Sequence, residues 1–431
     1  MDEVLKKRII ALMKSEILPA VGCTEPMAVA LCVARAKEEI GCLPEKIEIF
    51  LSANILKNAM GVGIPGTGMV GLPIAVALGL AVGRSEYQLE VLKDANAEAI
   101  EWAKNYLKNN DVCIKLKDGI KEKLYIEVLL AGGGHEVRTV ISGGHTNFVY
   151  IEKDGKVVLD RRVPEGAEDN DDDSWLNLRK VYDFAMNVPL EDVEFIAETR
   201  KLNENASNMA LKGNYGHELG KTLERPLGRG IMGDSIFSHI ISATANACDA
   251  RMAGAMIPVM SNSGSGNQGI CATLPVVVFA EENHNTEEEL MRALVLSHLT
   301  AIYMKQSLGR LSALCGCVVA STGSSCGITY LMGGTFEQIS ASVKNMIANL
   351  TGMICDGAKP SCALKLASGV STAVFSAILA IQQKCVTSVE GIIDDDVDKS
   401  IHNLTKIGKF AMGETDKCVL DIMTTKKCRT E

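Results

Sequence analysis

Aromatic residues make up only 4% of the 431-residue chain, which leaves few rings on which nucleobases would stack. A dense Lys/Arg stripe is also missing, and acidic residues outnumber basic ones by 53 to 44, for a formal charge of -9. Both shortages argue against nucleic acid as a partner. The first twenty residues, "MDEVLKKRIIALMKSEILPA", alternate charged and apolar side chains at helical spacing and lack the uninterrupted apolar core of a signal peptide. The longest apolar run read along the sequence, "GLPIAVALGLAVG" at 71–83, is too short to cross a bilayer. The expectation is a cytoplasmic protein with no membrane partner. Glycine (39), methionine (18) and cysteine (14) are plentiful instead, which suits close helix packing and tight loops. In a reducing compartment fourteen cysteines are core residues, metal ligands or nucleophiles rather than a disulfide framework.

The length predicts two domains. Helical periodicity covers 2–18 and resumes at 26–40, with "AVGCTEP" between; Thr24 is the expected N-cap, with Glu25 and Pro26 in the first turn. Alternation in "KIEIFLS" (46–52) predicts a strand, followed by the glycine loop "GVGIPGTGMVG" (61–71) and two helices to about 109. Five more strand-like segments fill 111–161, and Asp154-Gly155 marks a hairpin between the last two. The expected fold class is α+β: N-terminal helices (1–40) packing with the catalytic domain, a smaller mixed α/β domain (41–165), an acidic linker (166–174) and an all-helical domain (175–431) that carries the chemistry.

Three stretches are poorly explained by packing. "AVGCTEP" sets Cys23 just before a helix start, where backbone N–H groups and the helix dipole favour a thiolate; the competing reading is a cysteine that fills a turn. "MSNSGSGNQG" (260–269) gathers Asn262, Ser263, Ser265, Asn267 and Gln268 among glycines ahead of an apolar helix. That suits a carboxylate held at a helix N-terminus, against a flexible linker; neither a P-loop nor a dinucleotide fingerprint is present in it. The third is "RLSALCGCVVASTGSSC" (310–326) with "MICDGAKPSCALK" (353–365). Thiolates suit zinc or iron-sulfur clusters, and zinc knuckles of the CxxC type are absent. Three cysteines from separate helix ends fit a [4Fe-4S] cluster with one open iron, against the reading of cysteines as small core hydrophobes, which is expected for Cys32, Cys113, Cys248 and Cys385.

From "PAVGCTEP" through "SNSGSGNQGI", "LGRLSALCG" and "GMICDGAKPSCALK", the sequence resembles the L-cysteine desulfidase family, related to the α-domain of iron-sulfur-dependent bacterial L-serine dehydratases. The resemblance implies a [4Fe-4S] cluster held by Cys315, Cys355 and Cys362, with Cys317 as the substitute ligand if the register slips, and Cys23 as catalytic cysteine. The reaction it implies is β-elimination of L-cysteine to pyruvate, ammonia and sulfide. In that scheme the open iron is the Lewis acid and a Cys23 thiolate takes the Cα proton. Thr24, the 262–268 loop and Arg310 are then the expected contacts for the amino-acid substrate.

L-serine dehydration on the same site is the nearest alternative. A pyridoxal-phosphate lyase is not expected, since no lysine has a convincing Schiff-base context with a matching phosphate loop. A non-catalytic iron-sulfur sensor is the reading from another class. A homodimer is the prior for a Gly- and Ala-rich helical protein of this size.

Overall fold

The computed structural model describes residues 2–120, 122–162, 175–309 and 311–426. Arg310 and the acidic stretch expected as a linker lie outside the described residues. The N-terminal part runs α1 (Glu3–Glu16), β1 (Pro19–Val21), α2 (Thr24–Ile40), β2 (Lys46–Leu51), α3 (Ala53–Ala59), α4 (Leu72–Ala81) and α5 (Ala97–Asn109). Strands β3 (Cys113–Leu116), β4 (Tyr125–Gly132), β5 (His135–Ser142), β6 (Phe148–Lys153) and β7 (Lys156–Asp160) follow. The second part comprises α6 (Leu178–Asn187), α7 (Ala197–Lys212), α8 (Leu219–Glu224), α9 (Pro226–Met232), α10 (Ile236–Met252) and β8 (Pro258–Met260). It continues with α11 (Gly266–Glu282), α12 (Glu287–Leu308), α13 (Gly316–Leu331), α14 (Phe336–Leu350), α15 (Cys362–Ile381), α16 (Val397–Lys406) and α17 (Gly413–Thr425). The architecture is thus α+β, as the patterning predicts.

The six-stranded sheet has the order β3-β2-β4-β5-β6-β7, antiparallel except for the β2–β3 pair. Alternation puts Ile47, Ile49 and Leu51 of β2 on the covered face, where α2 packs across β4 and β5. The Asp154-Gly155 turn has positive φ at both residues (50° and 75°), the geometry of a two-residue hairpin.

In the helical part, α12 is buried on nearly all sides and starts with a capping box between Thr286 and Glu289. Helix α15 is 20 residues long with a hydropathy of 1.7, so by length and composition it could cross a membrane. Lys365, Ser368, Ser371, Thr372 and Ser376 interrupt its apolar residues, so it does not read as a continuous apolar run in the sequence. One of its faces packs on α10, α13 and α14, while Leu364, Phe375, Ile378 and Leu379 of the other face are about half exposed.

Among the described residues two large hydrophobic cores and a small cluster at Val140, Val149 and Tyr150 result, and the two large ones interlock. Cys23, at the head of α2, belongs to the helical core, whereas Met27 onward in the same helix belongs to the sheet core. Leu311 joins the sheet core from the helical side. The seam between the cores is where the candidate site residues collect.

A cysteine-lined cavity at the seam between the cores

The two cysteine-bearing segments meet through a short antiparallel bridge, Leu314 to Ile354. Cys315 N–H donates to the Met353 carbonyl (2.9 Å) and Cys355 N–H to the Ala313 carbonyl (2.7 Å). In such a ladder the residues flanking the central pair project on one face, so both sulfurs emerge together and share a hydrogen bond. That shared proton pulls Cys355 below the ordinary thiol range and pushes Cys315 well above it. The chain between α14 and α15 is non-helical, and Cys362 is the first residue of α15.

Gly357 holds this connection against α3. Its φ is +92°, and a Cβ there would lie 2.2 Å from the Lys57 carbonyl oxygen, so only glycine fits. Lys57 is 1% exposed. Its ammonium donates to the Cys355 carbonyl (3.2 Å) and is ion-paired with Asp416 of α17; Asn54 donates to the other Asp416 oxygen (3.1 Å).

The second half of the site is set by the β1–β8 ladder, which pairs Pro19 with Met260 and Val21 with Pro258. Two short distant strands thereby lay "GCTEP" beside the 261–268 loop. Ser261 N–H donates to Leu18 O (2.8 Å) and Ser263 N–H to Glu16 O (2.9 Å). The loop is a two-residue turn with Ser263 (φ 50°) and Gly264 (φ 77°) at its centre and reciprocal bonds between Asn262 and Ser265. Thr24 Oγ donates to the Gly264 carbonyl (2.8 Å). Ser265 caps α11 by accepting from Gln268 N–H.

Cys23, rather than the expected Thr24, is the N-cap of α2, and its side chain makes no capping bond. The thiolate expected from the helix terminus is not what this environment favours. Cys23 Sγ donates to Glu25 Oε2 (3.0 Å), and burial, followed by the Glu25 charge, pushes the thiol well above its ordinary range. Burial alone would raise Glu25; nearby His145, the Cys23 thiol and Asn58, which donates to Oε1 (3.0 Å), hold it below the usual carboxylate range. Cys23 is thus a protonated thiol bound to a carboxylate.

Cys23, Thr24, Ser263, Ser265, Asn267, Gln268, Cys315, Cys355 and Cys362 all line one cavity of about 110 Å³. Asn262 does not. It is fully buried and donates to the ring Nδ1 (3.1 Å) and backbone carbonyl of His298. His298, whose Nε2 meets Thr273 Oγ at 3.0 Å, is pushed by burial down to about 3 and stays neutral. The Asn262 amide therefore anchors the loop to α12 instead of facing a ligand.

Several cavity residues went unread in the sequence. Arg251 of α10 donates to Asn267 Oδ1 (2.9 Å) and to the carbonyl of Gly22 (2.9 Å), fixing the residue before Cys23. His145 reaches the cavity from the β5–β6 turn, and Lys305 from α12. Arg251 had one available signal, a lone arginine in the small-residue run "ANACDARMAG"; His145 had its place in "SGGHTN".

Lys305 is 6% exposed, and its ammonium has no hydrogen bond or ion pair among the described residues. Burial pulls it down to about 8 from the ordinary 10.5. A lysine whose folded value lies below its unfolded one disfavours folding at low pH. The penalty is full below about pH 8 and fades as pH rises to 10.5. Lys305→Met is therefore expected to be more stable than the parent at pH 7, with the gain shrinking above pH 8. Urea midpoints at pH 7 and pH 9.5 check this, and a less stable variant at pH 7 refutes it.

Among the described residues no three His, Cys, Asp or Glu side chains converge closely enough to share one metal ion. A four-iron cluster asks something else, because each cysteine binds its own corner iron. Cys315, Cys355 and Cys362 are soft donors around one cavity that could each take a corner, with Lys57 and Lys365 acting on Cys355 to offset thiolate charge. The Cys317 thiol is engaged with Cys271 and donates to the Lys365 carbonyl (3.3 Å).

A family model described as serine dehydratase alpha chain matches residues 86–421. A UPF0597 protein of Bacteroides thetaiotaomicron is 67% identical over 426 residues, covering 99% of both chains. UPF0597 proteins of Parabacteroides distasonis (58% over 431 residues; 99% of this chain, 100% of the relative) and Porphyromonas gingivalis (54% over 433; 99% and 100%) align equally fully. With the matched region spanning the cysteine ladder, the 261–268 loop and Lys305, the chain belongs to the serine dehydratase alpha chain family.

Proposed function

We propose that the protein is a serine dehydratase-like lyase that removes the β-substituent of a small L-α-amino acid by β-elimination, with a [4Fe-4S] cluster held by Cys315, Cys355 and Cys362. The observation that carries this reading is the single cavity in which those cysteines face a thiol–carboxylate pair and a polar loop at a helix N-terminus. When bound, a cluster with an open iron supplies a Lewis acid for the leaving group.

The chain's own residues divide the remaining work. The Ser263–Gln268 turn presents hydroxyls, amides and the N-terminus of α11 to the polar end of the substrate. Glu25, with His145 beside it, is the proton acceptor for Cα–H. Cys23, protonated and bound to Glu25 Oε2, orients that carboxylate. Interlocked cores on both sides limit water around the reacting carbon.

The leaving group separates two substrates. Hydroxide from L-serine is favoured by the family match; sulfide from L-cysteine rests on the resemblance carried by "GCTEP". Anaerobically reconstituted protein assayed for pyruvate with each amino acid decides between them, and no pyruvate from either sinks the proposal.

Substitutions test the proton chain. Glu25→Gln is expected to lower kcat roughly a hundredfold, the lower range for a general base, and Cys23→Ala roughly tenfold, both with iron content unchanged. Equal losses would return the base role to the Cys23 sulfur.

A further inference from the structure

Lys305 has no part in the proton chain and no place among the cluster ligands, yet it lines their cavity from α12. It sits there at 6% exposure with no hydrogen-bond or ion-pair partner among the described residues. A buried ammonium is normally paired, and an unpaired one facing a cavity invites an anion. The ionisable groups that act on it are Cys355, Cys315, Lys123 and Glu25, none of which bonds it. Across the same cavity, the N-terminus of the 17-residue helix α11 presents its first turn, with Ser265 capping only Gln268 N–H. Two independent sources of positive potential thus border one cavity.

We propose that Lys305 is the carboxylate anchor of the substrate: its ammonium and the first turn of α11 grip the α-carboxylate, which turns the β-carbon toward the cysteine ladder and Cα–H toward Glu25. The amino-acid class of the ligand rests on the β-elimination reading. What Lys305 adds is orientation, since an ammonium on one side and backbone N–H groups on the other fix a planar carboxylate at both oxygens. A free carboxylate becomes a strict requirement, so amides and esters of the same amino acid are rejected. The unfavourable burial of the Lys305 ammonium is relieved by a bound anion, which sharpens that preference. Positioning, rather than proton transfer, is its role.

The test uses the anaerobic, iron-loaded protein and L-alanine, which has no β-leaving group and is not consumed. Calorimetry should show L-alanine binding roughly 10- to 100-fold more tightly than L-alaninamide, the range for a hydrogen bond to a charged group. Lys305→Met and Lys305→Gln should bind both equally weakly, and Lys305→Arg should restore most of the difference. With whichever of L-serine and L-cysteine turns over, Lys305→Met should raise KM more than it lowers kcat.

Parent protein that binds the two ligands equally, or binds no L-alanine, overturns the anchor. So does Lys305→Met that keeps the discrimination or loses kcat at constant KM. Loss of iron from both neutral variants also overturns it, by assigning Lys305 to cluster retention. If neither β-substituted amino acid is turned over while Lys305 still governs L-alanine against L-alaninamide, the lyase reading fails and the anchor stands.

Discussion

Replacing Cys355 by serine is expected to remove the iron and to lower turnover on the order of a thousandfold, the several kcal/mol that a Lewis acid contributes. Serine preserves the backbone bond from residue 355 to the Ala313 carbonyl, so the short ladder survives. The hydroxyl cannot replace a soft thiolate at neutral pH. Cys355 is the most exposed to this change, because its proton is already drawn toward Cys315 and its carbonyl is held by Lys57. Iron, acid-labile sulfide and visible absorbance of the anaerobically reconstituted variant provide the measurement. Cys317→Ser is the control: its thiol is turned to Cys271 and the Lys365 carbonyl, so it should keep its iron. A Cys355→Ser protein with full iron, or a Cys317→Ser protein without any, would redraw the ligand set.

Asp416→Ala is expected to destabilise the protein by about 3–5 kcal/mol, the range for stranding one member of a buried ion pair. Lys57 would be left at 1% exposure with the Cys355 carbonyl as its remaining partner. Asn54 loses its acceptor as well. Because Lys57 also touches the cysteine segment, iron retention should fall together with stability. The double substitution Lys57→Met, Asp416→Leu should recover most of the folding free energy without recovering iron binding, since apolar replacements of similar volume remove the stranded charge. Urea unfolding of the three proteins checks the series. A single variant within about 1 kcal/mol of the parent would show that the pair behaves as a solvated surface contact.

Local pattern carried much of this fold. Alternation is cleanest in β2, whose buried residues repeat with a period of two toward the face of the sheet that α2 covers. The Asp154-Gly155 turn was legible for the same reason, since few residues tolerate φ near 50°. Helix α3 was missed: seven residues between a strand and a glycine loop give little periodicity to read. Cysteine burial was only partly legible. Cys32 and Cys248 are buried, but Cys113 is intermediate and Cys385 exposed, because a cysteine carries no marker for the face it occupies.

At the site, the polar turn and the cysteines announced themselves by composition, whereas what arranges them did not. The β1 and β8 strands are three residues each, below what alternation can reveal. The Leu314–Ile354 bridge and the Lys57–Asp416 pair join positions far apart in the chain, and only tertiary structure brings them together. Cys23 shows the limit most sharply. Its place before a helix was readable and argued for a thiolate, but the carboxylate two residues later and full burial reverse the sign. Asn262 looked like a ligand for the substrate because it lies in a donor-rich loop, yet a histidine 36 positions later takes its amide.

The β1–β8 ribbon has a consequence for how the protein is made. Residue 19 leaves the ribosome long before residue 260, its partner; at 5–20 residues per second the interval is roughly ten to fifty seconds. Throughout that time the "GCTEP" segment has neither its strand partner nor the Gly264 carbonyl that Thr24 binds. The sheet and α2 share most of one core and are synthesised before the helical half, so their contacts are available to the chain first. Cys23 and Glu25 wait on an unfinished edge, and the cavity is completed only when the helical half, through Asp416 of α17, has been delivered.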